Sequence, residues 1–175
     1  MNSKKQEEMI DSYLSLLDGD RRPLYWDIIG CLAELGYHPQ KERDHLSFKH
    51  TLHNKQMAKM GMKKGKAAVP FIALRFSACK GYSQRFADIV SSNIIKNPSK
   101  VPGCTVHACS FCAGEPDTHV YSYTFPDGVS KSHCGAYALE IPDITANDLT
   151  EIKKLIREEH DYLIKHEAHS SPCVK

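Results

Sequence analysis

Cys104, Cys109 and Cys112 fall within nine residues of one another in "VPGCTVHACSFCAGEP", and Cys134 follows in "SHCG". Cysteines at this density serve as metal ligands, hold an iron–sulfur cluster, or pair as disulfides. In the C-x2-C knuckle at 109–112, backbone N–H groups can point at two sulfurs that share one ion. Cys134 comes after a hairpin signal and before Gly135, as in the far knuckle of a zinc ribbon, where glycine lets the chain turn around the metal. Cys104 lies in the same loop as the first knuckle and completes the set, with His107 and His133 as reserve donors. Four thiolates leave no open coordination position, so the set predicts a structural zinc whose binding helps fold its own segment.

The alternative is a [2Fe–2S] cluster, because C-x4-C-x2-C with a distant fourth cysteine is the plant-type ferredoxin spacing. Against it stand a helix and strand order unlike a ferredoxin's and the ribbon-like turn Pro126-Asp127-Gly128 between the third and fourth ligands. Disulfides rank last. Seven cysteines are an odd number, and "MNSKKQEEMIDSYLSLLDGD" lacks the apolar core and cleavage site of a signal peptide. The expectation is therefore a cytoplasmic protein with reduced thiols and no membrane partner.

Other chemistry is sparse, and no catalytic residue is assigned. No H-x-E precedes Cys109, as a zinc deaminase would need. Neither H-E-x-x-H, nor a phosphate-binding glycine loop, nor a nucleophile elbow occurs. Cys79, beside Lys80 and ahead of a helix start, has surroundings that favour a thiolate. Its simpler reading is a small residue ending a strand. His166 and His169 near Cys173 form a weaker metal candidate in a tail expected to fray.

Charge is unevenly spread. Residues 41–100 hold thirteen Lys or Arg against Glu42, Asp44 and Asp88, a balance of +10, and the remainder carries −8. Alternation in "VPFIALRFSA" turns Ile72, Leu74 and Phe76 inward and Phe71 and Arg75 outward. With Lys49 and Lys59, Arg75 would then make an open basic sheet face suited to an anionic ligand or nucleic acid. A plain solvated face is the competing reading.

The elements that must position these residues read as α+β: a small antiparallel sheet packed by helices, then a metal-knuckle hairpin and a terminal helix. Helices are expected at 4–18 and 23–35, the second closed by Gly36 and with Trp26 and Cys31 in the core. Three strands are expected from "HLSFKH", "NKQMAKMGM" and "VPFIALRFSA", followed by a helix from about Tyr82 to Asn97-Pro98. "HVYSYTF" and "VSKSHC" flank the turn, and "AYALEI" adds a third short strand. Thr145 and Asp148 signal the start of the last helix, and Ile144 and Leu149 would form its hydrophobic staple. "NPSKVPG" divides a 1–100 core from the 101–175 knuckle, hairpin and helix within one unit.

"LSFKH", "KQMAKMG" and "PFIALRFSACKGYSQRF" resemble the helix–sheet–helix pattern of small bacterial YdhG-like and YjbR-like proteins over residues 24–95. "GCTVHACSFC", "YTFPDG" and "HCG" resemble a group of uncharacterised bacterial proteins with a cysteine knuckle after such a domain. The resemblance implies the fold and a bacterial cytosolic setting, and no catalytic residues. The expected role is a zinc-stabilised binding or regulatory module, with a [2Fe–2S] electron-transfer or redox-sensing protein as the alternative.

Overall fold

The computed structural model describes residues 3–63, 65, 68–97 and 119–167. Ser3 caps the first helix, its N–H donating to Gln6 Oε1 at 2.8 Å, and α1 runs Lys4–Leu14. It ends sooner than the expected residue 18, although Leu17 beyond it is still buried. α2 spans Arg21–Glu34, with Pro23 in its first turn where a missing N–H costs nothing. Gly36 closes it at φ +83°, a left-handed position that only glycine takes freely.

The sheet begins at once with β1 (Tyr37–Glu42), followed by β2 (His45–His50), β3 (Gln56–Lys63) and β4 (Val69–Leu74). β1 was not foreseen, because "YHPQKE" has no apolar alternation; its Pro39 is tolerated on an edge strand. After α3 (Gln84–Lys96) come β5 (Val120–Thr124), β6 (Ser130–Cys134) and β7 (Leu139–Ile141). β5 and β6 form the expected hairpin as a separate two-stranded sheet. β7, the third short strand expected from "AYALEI", joins the main sheet, in the order β1-β2-β3-β4-β7 with every pair antiparallel. Its apolar residues decide this, since Leu139 pairs with Leu74 and Ile141 with Ile72 in the core row. α4 (Leu149–Glu167) is the last element among the described residues.

Register puts Leu46, Met60 and Ile72 side by side, then Phe48, Ala58 and Leu74, which is the apolar row the alternation predicts. These six are buried together with Ile10, Tyr13 and Leu14 of α1 and Ile28 and Leu32 of α2. Ile152, Leu155, Ile156 and Leu163 give α4 its buried stripe. At the start of α4, Thr145 N–H donates to Asp148 Oδ2 at 2.8 Å, as its sequence signal implies. Trp26 departs from expectation: it is 58% exposed, whereas Cys31 is buried. One residue on from buried Tyr25 is about 100° round a helix, which carries Trp26 off the buried arc. No helix among the described residues is long and apolar enough to cross a membrane.

Candidate metal centre and its buried anchor

Cys134 is the one proposed ligand within the described residues; Cys104, Cys109 and Cys112, with the reserve His107, lie outside them. Cys134 is half-buried, closes β6 and pairs with Val120, the first residue of β5. The strand that neighbours its sulfur therefore continues directly from the segment holding the other three cysteines. Only seven positions separate Cys112 from His119. Among the described residues, no group of three or more His, Cys, Asp or Glu is arranged to hold a metal. His133 is buried with its ring 5.3 Å from that of Tyr137 and 6.2 Å from that of Tyr121. His166 lies against Tyr162, ring centres 4.2 Å apart, while His169 and Cys173 are outside the described residues.

A two-stranded hairpin is marginal by itself in water. This one is held by the six consecutive residues Arg75–Lys80, each bonded to the hairpin region or to α4. Phe76 N–H donates to the Tyr121 hydroxyl at 3.0 Å, and that hydroxyl donates to the Tyr137 carbonyl at 2.9 Å. Full burial drives the Tyr121 phenol well above its ordinary pKa, so it stays a donor. Ser77 Oγ donates to the Gly135 carbonyl at 3.1 Å. Lys80 Nζ reaches the Val120 carbonyl at 3.3 Å.

Gly135 is required by space. A Cβ there would sit 2.1 Å from the His119 carbonyl oxygen and 2.6 Å from Ser77 Oγ. The sequence reading gave this glycine a role in turning around a metal. The structure gives it a different one, the close passage of two backbones where the hairpin meets the core.

Arg75 corrects the expected basic face. It is 2% exposed and donates through Nε to Glu159 Oε1 at 2.7 Å. The strand period did assign Arg75 to the face opposite Ile72 and Leu74, but Ser47, Met57 and Ala73 on that face are buried as well. Lys49 pairs with Glu42 at 2.6 Å, and its hydrogen bond, with its charge adding to it, holds the Glu42 carboxyl below the usual range. Lys59 is half-buried between Ser47 and Ala73. The three cations are not an open cluster.

Glu159 is the hub that sequence reasoning missed. Oε1 accepts from His119 Nε2 at 2.8 Å as well as from Arg75, and Oε2 accepts from Ala78 N–H at 2.8 Å. Burial alone would raise its pKa; the His119 hydrogen bond and the Arg75 charge outweigh this and hold the carboxylate below its usual range. Burial lowers the pKa of His119 despite Glu159, so its imidazole is neutral. Arg75 Nη2 lies 3.0 Å from Nε2 and 3.3 Å from Nδ1; with the proton on Nε2 donated to Glu159, Nδ1 is the ring nitrogen able to accept from Arg75. Tyr162 stacks on the ring at 4.7 Å. One cation and one anion balance in a buried network with its hydrogen bonds made.

Ser77, His119 and Glu159 have the residue types of a hydrolytic triad. All three are at most 1% exposed, and the Ser77 hydroxyl is committed to a backbone carbonyl. No substrate atom reaches them in this arrangement, and their work is to fasten the hairpin. Cys79 is likewise no nucleophile here: burial pushes its thiol pKa up, and Sγ donates to the Leu155 carbonyl at 3.4 Å. A signal for Glu159 does exist in the sequence. It falls three or four positions from Leu155, Ile156 and Leu163, a carboxylate on the apolar stripe of α4.

No family model matches the chain, and neither does any curated protein or solved structure.

Proposed function

We propose that the chain is a binding or regulatory module stabilised by a zinc ion held on Cys104, Cys109, Cys112 and Cys134. The observation that carries the reading is the position of Cys134: it closes the hairpin against Val120, where the chain emerges from the segment with the other three thiols. A hairpin with so small a core of its own gains most from a metal cross-link. The four thiolates would supply a closed tetrahedral site, so the ion's role is structural. The C-x4-C-x2-C spacing keeps a [2Fe–2S] redox protein as the second reading. With Arg75 buried and Lys49 paired, the basic sheet face no longer supports a nucleic-acid or other anionic partner.

Elemental analysis of protein purified with and without oxygen separates the two readings. About one zinc per chain, released by a chelator with loosening of residues 101–141, supports the first. Visible absorbance with stoichiometric iron and sulfide supports the second.

A further inference from the structure

Trp26 is the only tryptophan in the chain, and it stands 58% exposed on α2. Trp26 borders two hollows. One, of about 490 Å³, is bounded by Leu14, Pro23 and Arg22. The other, of about 400 Å³, is bounded by Ile10, Ile29, Gly30 and Ala33. Gly30 lies one turn beyond Trp26 in the middle of α2, where glycine weakens a helix. A Cβ at Gly30 would meet nothing within 4 Å, so no contact inside the chain demands the glycine. What its missing side chain creates is depth beside the indole.

The rim of this groove is acidic. Glu7 and Asp11 are exposed one turn apart on α1, and Asp11 borders both hollows. Neither carboxylate has an ion-pair partner among the described residues. Asp27, the next residue along α2, is paired with Lys153 at 3.2 Å. Arg22, the cation at the groove, points its Nε to the Leu14 carbonyl at 3.1 Å.

We propose that the α1–α2 groove around Trp26 binds a cationic amphipathic helix of a partner protein. Apolar side chains of that helix enter the two hollows that the indole borders, in the helix-in-groove manner. Its Lys or Arg residues meet Glu7 and Asp11 and pack on the indole face, the strongest cation–π surface among side chains. Charge selects this occupant. Phosphate-bearing surfaces are repelled by the acidic rim, and a second copy would bring a rim of the same sign to the interface. The site lies outside the cysteine segment, and the proposal stands without the zinc reading.

Trp26 is its own reporter. The full chain, as purified, is titrated with a synthetic amphipathic helix of about 18 residues built from Leu, Ala and Arg, while tryptophan emission is followed. The expected result is a saturable blue shift. A peptide with Glu in place of Arg should give none, and a scrambled Arg peptide a much weaker one. Reversing the rim with Glu7→Lys and Asp11→Lys should weaken binding about tenfold or more, and added salt should weaken it in the wild type. Gly30→Leu should abolish the shift by filling the hollow without lowering the thermal midpoint, since leucine is the better helix former. Equal response to the acidic peptide, or no saturable response, overturns the proposal. So does a blue shift that grows with protein concentration without peptide, which would assign the groove to a second copy.

Discussion

At Gly135 and Gly30 the same substitution should have opposite signs. Alanine at 135 forces a Cβ to 2.1 Å from the His119 carbonyl, where both partners are backbone or tightly held. We expect Gly135→Ala to cost about 1–3 kcal/mol, as overpacking does. Gly30→Ala meets open space and should stabilise by about 0.5–1 kcal/mol through helix propensity. Urea unfolding of the two variants checks both signs. The Arg75–Glu159 pair allows a sharper test. Glu159→Leu alone leaves a buried guanidinium without its carboxylate and should cost about 3–5 kcal/mol. Adding Arg75→Met should recover much of that loss, because an apolar pair removes the stranded charge. If the double variant is as unstable as the sum of the singles, the pair is not the coupled unit described.

At the scale of elements, His119 joins β5 to α4 and ties that junction to pH. Its folded-state pKa is lowered from the ordinary 6.5, by burial first. The unfolded chain therefore takes up a proton that the folded chain refuses, and stability present above pH 6.5 is lost as pH falls. His160 is lowered in the same way and adds to the slope, and Glu159 adds its own loss below pH 4.5. Unfolding midpoints at about pH 7.5 and pH 5 should differ more for wild type than for His119→Gln, which cannot titrate. Equal differences would remove His119 from the account. How far the elements were legible follows from what organises each. The apolar rows of β2, β3 and β4 and the stripe of α4 announce themselves by period. β1 has no such row, being an edge strand placed by its neighbour. β7 has too few residues to reveal which sheet it joins. Arg75 obeys the strand period, yet its partner Glu159 is 84 residues away. Alternation assigns a face and is silent on what covers it. Trp26 was misplaced for a related reason: its apolar character argued for the core, while its angle on α2 takes it outside.

For the whole molecule, the segment with Cys104, Cys109 and Cys112 lies in the sequence between α3 and His119, and His119 is fastened to Glu159. β7 then pairs with β4 and α4 packs against α2, so both ends of the hairpin region are tied to the main sheet and helices. A metal bound across Cys134 and the preceding thiols would cross-link the chain over that stretch of sequence. Limited proteolysis should then separate two classes of cysteine. Cys109→Ser and Cys112→Ser should expose residues 101–141 to cleavage, as chelator does to wild type, whereas Cys31→Ser and Cys173→Ser should not. Cys31 is buried on α2, so its variant should instead lower global stability. The most direct measurement is the metal content of wild type beside Cys134→Ser, because Cys134 is the ligand whose place in the fold carries the proposal. We expect about one zinc per chain in wild type and a large loss in the variant. Unchanged zinc in Cys134→Ser, or wild-type protein carrying no zinc when purified without chelator, would contradict the account.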